Sequence, residues 1–117
     1  MLRGCAVLLL VVFGLAACGG SSKSGAPATT AAPVANAGAA VSLKNIAFNP
    51  STVTIKAGQA VVWTWHDGSV PHDVSGQGYA SVLQSKGTYS HTFPVAGTFK
   101  YTCTIHSGMD GTVTVTP

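Results

Sequence analysis

The chain has 117 residues and a formal net charge of +3, from 6 lysines and arginines against 3 acidic residues. The high isoelectric point reflects scarcity of acids, and the basic residues form no cluster, so the composition excludes the footprint of a nucleic-acid-binding protein. Once the N-terminal region is set aside, the remaining length suffices for one small domain and no more.

The N-terminus has the features of an export signal. Met1 to Arg3 carry one positive charge, and Cys5 to Ala17 are apolar apart from Gly14, which is too short a stretch for a lasting membrane span. Leu15-Ala-Ala-Cys18 resembles a bacterial lipobox, which predicts a lipoprotein-type signal peptide over residues 1–17 and lipidation of Cys18. A soluble secreted protein cleaved near Ala17 is the alternative.

Residues 18–40 are predicted to be a disordered tether that begins at the lipidated Cys18. Alanine, glycine, serine, proline and threonine dominate it, and such a composition buries too little apolar surface to offset its ordering entropy. The expected location is therefore the exported side: anchored by lipid to the outer face of the cytoplasmic membrane, or in the periplasm or cell envelope. With Cys5 removed and Cys18 lipidated, Cys103 is the only free thiol.

From residue 41 the chain shows short alternating stretches separated by turn signals, with no helical period. Seven strands rich in valine, threonine and aromatic residues predict an all-β, antiparallel Greek-key sandwich over residues 41–117. In chain order they are predicted at 41–48, 52–56, 60–65, 79–84, 88–93, 98–104 and 111–116.

The strand before the last turn places a cysteine on its inner face. Phe99 and Tyr101 alternate with polar residues, and side chains two apart share a face, so Cys103 points into the core with them. A buried free cysteine is most often a small apolar residue, and it is equally well placed to bind a buried metal.

At the end of this strand and in the turn that follows, a cysteine, a histidine and a methionine form the pattern Cys103-x2-His106-x2-Met109. Each is weak evidence alone, but Met109 and Cys103 are the only methionine and free thiol of the predicted mature chain. A tight loop brings all three side chains around one point.

The remaining histidines are His66, His72 and His91. His91 shares a strand face with aromatic residues and is interpreted as structural, which leaves His72 and its rival His66 in one loop.

The donor types indicate which metal suits such a site. Two imidazoles, one thiolate and a distant thioether are typical of blue copper electron-transfer centres. Structural zinc prefers four nitrogen or thiolate ligands, and hard cations need more carboxylates than the chain provides.

The sequence also resembles a known family. Pro71-His-Asp-Val74, the stretch from Phe93 to Cys103 and the stretch from His106 to Val115 look like the plastocyanin/azurin group of cupredoxins, with a short ligand loop of the amicyanin type. The resemblance covers residues 42–117. It implies a Greek-key sandwich with one type 1 copper ion, bound by His72, Cys103, His106 and Met109.

The expected function is that of a membrane-tethered carrier of single electrons between redox partners, monomeric and not an enzyme. Multicopper enzymes need additional His-x-His pairs, which this chain lacks. A copper-binding or copper-delivery lipoprotein is the alternative, although delivery sites favour several methionines. His106 is the expected exit for the electron, with Val70, Pro71, Ile105 and Met109 around it as a docking patch.

The chain departs from the family pattern beside the first histidine. The family often has asparagine after that ligand, whereas this chain has Asp73. A carboxylate there needs a hydrogen-bond donor, and the expected donor is the Thr104 hydroxyl or a backbone N–H. Trp65 and His66 also replace smaller polar residues.

Overall fold

The computed structural model describes residues 34–117, and they form a two-layered β-structure. Cys18 and all but the last residues of the predicted tether lie outside the described residues. Among residues 34–117 no helix is long and apolar enough to cross a membrane. The described residues contain nine strands: β1 Ala37–Leu43, β2 Phe48–Asn49, β3 Thr52–Lys56, β4 Ala60–Trp65, β5 Ser75–Gly76, β6 Tyr79–Ala80, β7 Thr88–Thr92, β8 Gly97–Thr102 and β9 Asp110–Thr116.

The strands form two sheets. One has the order β2-β1-β4-β7 and the other the order β3-β9-β8-β5-β6. Most neighbours are antiparallel, but β1 pairs with β4 and β3 pairs with β9 in parallel. The predicted all-β sandwich is confirmed, and its sheets are mixed because the chain crosses between the two layers before it returns beside an earlier strand.

Alternating side chains of the two sheets fill the space between them. Trp63 of β4 is fully buried and packs edge-on against Tyr101 of β8, with ring centroids 5.3 Å apart. Aromatic contacts of this geometry add to the free energy gained from burying apolar area. The alternation predicted for β8 is confirmed, since Tyr101 and Cys103 are buried and Phe99 packs against the same core.

The structure divides the first predicted strand. β1 begins at Ala37, inside the predicted tether, and ends at Leu43. Asn45 and Ile46 have φ angles of 56° and 53°, so the chain reverses there and returns as β2. In the sequence the apolar positions change parity here, from Val41 and Leu43 to Ile46 and Phe48, and the prediction of one continuous strand did not take this change into account.

The predicted strand at 79–84 is also shorter in the structure. Only Tyr79 and Ala80 form a strand, while Gln84 makes an isolated bridge with His72. Val82 and Leu83 are exposed, at 72% and 54%. Two-residue strands such as β2, β5 and β6 are too short to show a period in sequence, which explains why nine strands appear where seven were predicted.

Candidate metal centre

Three potential ligands meet at one end of the sandwich. His72 follows β4, Cys103 follows β8, and His106 lies in the loop to β9; their ligand atoms all lie within 4.8 Å of one another. Nδ1 of His72 is 3.0 Å from Nδ1 of His106, and Sγ of Cys103 is 3.9 Å and 3.4 Å from these two atoms.

These distances suit a metal ion. The point equidistant from the three atoms lies about 2.0 Å from each, close to the length of metal–imidazole bonds and slightly below the roughly 2.3 Å of a metal–thiolate bond. Both histidines present the same ring nitrogen, Nδ1, toward the centre. The residues present therefore fit a trigonal site with two nitrogens and one sulfur.

The site is largely closed to water. His72 is completely buried and Cys103 is 3% exposed, whereas His106 is partly exposed. A thiolate and two imidazoles without a metal would leave buried polar atoms facing each other. A soft metal ion with one or two positive charges, bonded to the thiolate and to both imidazoles, would compensate these buried atoms for their loss of water.

The loop from Cys103 to Met109 is held by its own backbone. The N–H of Cys103 donates to the carbonyl of Met109 over 2.9 Å, and the N–H of Met109 donates to the carbonyl of His106 over 3.2 Å. Gly108 has a φ of 81°, a conformation that glycine adopts readily. The hydroxyl of Thr102 also donates to the Met109 carbonyl, over 3.1 Å. The Met109 side chain is 1% exposed at the end of this loop.

His72 is instead positioned by a bridge to Gln84 and by the side chain of Trp65. Its N–H donates to the carbonyl of Gln84, and the N–H of Gln84 donates back to the carbonyl of His72. The same carbonyl of His72 also accepts from the indole Nε1–H of Trp65, over 2.9 Å in the core. Trp65 thus fixes the backbone of the first candidate ligand.

The far side of the His72 ring meets a carboxylate. Nε2 of His72 is 2.9 Å from Oδ2 of Asp67, which also accepts the N–H of Ile46 over 3.0 Å. The Ile46 N–H and then the His72 ring hold the pKa of the Asp67 carboxyl below its ordinary value. In the sequence, Asp67 is visible only as part of a turn before Gly68.

Asp73 joins the two ligand-bearing segments. Its carboxylate accepts the N–H of Thr104 over 2.7 Å and the hydroxyl of Thr104 over 2.6 Å. Both kinds of donor expected for Asp73, a hydroxyl and a backbone N–H, are therefore present. Partial burial acts to raise the pKa of Asp73, but the hydroxyl and N–H of Thr104 outweigh it and leave that pKa lowered.

The other two histidines lie apart from this group of ligands. His66 is exposed, and its backbone N–H donates to the carbonyl of Leu43. His91 stacks on Tyr79 with ring centroids 4.2 Å apart, and burial lowers its pKa. The structural interpretation of His91 is consistent with this stacking, and of His66 and His72 it is His72 that the structure brings beside Cys103 and His106.

Known proteins with related sequences bind copper. A family model described as copper binding proteins of the plastocyanin/azurin family matches residues 35–116. Amicyanin-alpha of Methylorubrum extorquens is 38% identical over 110 residues, covering 86% of this chain and 92% of that protein. Plastocyanin of Scenedesmus fuscus is 37% identical over 86 residues, covering 60% of this chain and 87% of that protein.

A solved structure has the same architecture as this chain. The structure of a novel purple cupredoxin from Nitrosopumilus maritimus superposes with a TM-score of 0.62 at 27% identity, covering 67% of this chain and 99% of that one. The resemblance drawn from the sequence is thereby confirmed.

Proposed function

The chain belongs to the plastocyanin/azurin family of copper-binding proteins, and on that premise we propose that it is a blue copper protein that carries single electrons between redox partners. One observation supports this most strongly: Nδ1 of His72, Nδ1 of His106 and Sγ of Cys103 surround a point at bonding distance from all three. Met109, buried in the same loop, is the proposed fourth and weaker ligand.

The bound copper ion supplies a one-electron couple between Cu(II) and Cu(I). The residues around the site would restrain the ligands against movement between these two states. His72 is held by Trp65 and Gln84, and Cys103 by the backbone of its own loop. Because little has to move when the charge changes by one, such a site is suited to transferring electrons rather than to exchanging ligands.

His106 is the proposed exit for the electron, since it is the ligand of the three that is partly exposed. Next to it Ile105 is 46% exposed, and in the His72 loop Pro71 is exposed and Val70 is partly exposed. We call these three residues the apolar rim. Met109 was expected to contribute to this surface, but at 1% exposure it lies beneath it.

Ile105→Lys tests the apolar rim. The added charge is expected to slow electron transfer to the natural partner while the visible spectrum of the copper site stays the same. Val95→Lys is the matched control, because Val95 is 64% exposed and lies in the β7–β8 connection rather than beside a candidate ligand. Equal transfer rates for wild type and Ile105→Lys would place the docking surface elsewhere.

A lipid on Cys18 is the proposed anchor, supported by the Leu15-Ala-Ala-Cys18 sequence and the apolar segment before it. Because β1 begins at Ala37, residues 19–36 would connect the anchor to the domain. A coil of that length spans about 20–25 Å, so the copper domain would stay close to a membrane surface on the exported side. Cys18→Ser should release the protein from the membrane fraction, and retention there would contradict lipid anchoring.

The proposed copper site is tested by absorption and EPR spectra of the chain from residue 19 with one equivalent of Cu(II). This start retains all of β1, which pairs with β4 and is part of the sandwich. An intense thiolate-to-copper band with narrow hyperfine splitting is expected. Weak absorption with ordinary tetragonal copper signals would mean that Cys103 is not a ligand and would contradict the proposal.

Reversible voltammetry then distinguishes a carrier from a copper-delivery protein. The buried ligands His72 and Cys103 favour retention of the ion, since delivery requires ligands that a recipient can reach. A reversible one-electron wave is the expected result. Rapid transfer of copper to an apo-acceptor without reversible redox would support the delivery function instead.

A further inference from the structure

A single carboxylate links the candidate ligand His72 to a surface turn. Asp67 follows β4, and its side chain is 15% exposed. Its Oδ1 accepts the N–H of Asn45 over 3.0 Å, and its Oδ2 accepts the N–H of Ile46 over 3.0 Å. Oδ2 is also 2.9 Å from Nε2 of His72.

The direction of the last bond follows from the other nitrogen of the ring. Nδ1 of His72 faces Cys103 and His106, so this atom needs its lone pair for a metal. Nε2 then carries the hydrogen and donates it to Asp67. The carboxylate thereby selects the ring tautomer that leaves Nδ1 free to bind.

The surface turn holds the carboxylate from the opposite side. Between β1 and β2, Asn45 and Ile46 both have positive φ, and the N–H of Lys44 donates to the carbonyl of Ala47. Asparagine tolerates this conformation, whereas β-branched isoleucine does so at a cost. Successive N–H groups in such a turn form a cradle for an anion. Asp67 is thus fixed at two points on one side before it meets His72 on the other.

We propose that Asp67 is a positioning residue that sets the reduction potential of the copper site through His72. An anionic acceptor on Nε2 makes the imidazole a stronger donor at Nδ1 than a neutral acceptor would, which favours Cu(II) over Cu(I). The carboxylate therefore lowers the potential, and the β1–β2 turn keeps it in place. This inference rests on the proposed copper site.

The test is the midpoint potential of Asp67→Asn in the copper-loaded chain from residue 19. Asparagine keeps the size and an acceptor oxygen but removes the charge. Loss of an outer partner of a metal ligand changes affinity by roughly 10–100-fold. A tenfold loss of preference for Cu(II) corresponds to about 59 mV, and we expect a rise of at least this size.

Asp110→Asn is the matched control, because it makes the same change of charge at an exposed aspartate of β9. A rise in midpoint potential that is clearly larger for Asp67→Asn than for Asp110→Asn supports the proposal that Asp67 acts on copper through His72. An unchanged potential, or equal shifts in both variants, would overturn the proposal. An absent thiolate-to-copper band in the wild type would instead contradict the copper function itself, so the two failures are distinguishable.

A measurement on the wild type covers the case in which Asp67→Asn fails to fold. Nitrogen NMR of the Cu(I) or metal-free chain should show His72 with its hydrogen on Nε2, exchanging slowly with water. Hydrogen on Nδ1 in the metal-free chain, or rapid exchange at Nε2 in both forms, would overturn the assignment of Asp67.

Discussion

The two segments that meet at the metal centre are stabilised in different ways. The loop from Cys103 to Met109 is closed by hydrogen bonds between its own backbone groups, over three and six residues. The His72 segment is held by the side chains of Trp65 and Asp67, 7 and 5 residues before the histidine, and by an isolated bridge to Gln84. Asp67 in turn accepts the N–H groups of the β1–β2 turn, 21 and 22 residues before it. One segment is therefore closed by its own backbone, whereas the other depends on side chains and also on Gln84 and the β1–β2 turn, which lie outside it.

The bond between Asp73 and Thr104 joins the two segments across 31 residues of sequence. It fixes the distance between the loops and so sets how closely the nitrogens of His72 and His106 can approach Sγ of Cys103. The difference between the segments suggests changes that should affect one of them and spare the other.

The largest effect is expected for Cys103→Ser. The intense visible band should disappear, and Cu(II) affinity should fall by more than the roughly 100-fold that loss of an outer partner costs. The unfolding free energy of the metal-free chain should change little, because the backbone bonds that close the loop remain. Ser107→Ala, an exposed position in the same loop, is the control for the spectrum. A retained band in Cys103→Ser would contradict a thiolate ligand.

Asp73→Ala should unlink the two segments. Hydrogen bonds to a charged group contribute about 1.5–3 kcal/mol each, and exposed Thr104 can partly replace its bonds with water, so we expect a loss of about 2–3 kcal/mol. Urea unfolding of the metal-free chain measures it, with Asp110→Ala as the exposed control. Equal stability of the two variants would show that the link does not hold the loops together.

Acidification should remove the stability that the bonds between Asp73 and Thr104 contribute. The pKa of Asp73 is lowered in the folded chain, so its stabilising effect is complete above the ordinary value of 3.8 and is lost as the pH falls through the folded value. The stability difference between wild type and Asp73→Ala should therefore shrink on acidification from pH 5 into this range. A difference that stays constant would mean that the charge of Asp73 contributes nothing. The lowered pKa of Asp67 adds an effect of the same sign in both chains.

The smallest effect is expected for Ile46→Gly. Glycine adopts the φ of 53° without the cost of a branched side chain, while its N–H still reaches Asp67. Removing the backbone strain of isoleucine should stabilise the fold by about 1–2 kcal/mol. The greater entropy of glycine in the unfolded chain offsets part of this gain and leaves about 0.5–1 kcal/mol of stabilisation. Thermal unfolding measures it, and Ile46→Ala, which keeps a Cβ, is the control. Destabilisation by glycine would mean that the half-exposed isoleucine stabilises the turn.

Much of the fold was predictable because strand alternation is a local property. The burial of Tyr101 and Cys103 followed from the two-residue period of β8, and the long strands β3, β4, β7 and β9 lie close to their predicted positions. At Asn45 and Ile46 the sequence gave only a change in the parity of its apolar positions, and the conformation of the turn was not predictable, since isoleucine rarely adopts positive φ. The bonds of both N–H groups to Asp67 stabilise that conformation. The parallel pairing of β1 with β4 depends on how the layers assemble, which no period within one strand records.

The sequence by itself determined the character of the metal centre. Cysteine, histidine and methionine stand within seven residues, and their spacing confines them to one turn in any fold that ends a strand at Cys103. Only the tertiary structure decided which distant groups complete it. It placed His72 rather than His66 beside the cysteine, turned Trp65 onto the His72 carbonyl and brought Asp67 against the far side of the ring. His72 follows β4 of one sheet and Cys103 follows β8 of the other, so these two residues meet only when the sheets pack. The bonds of His72 to Trp65 and Asp67 span only 7 and 5 residues, but they too depend on the position and direction of each group in space, which the sequence does not record.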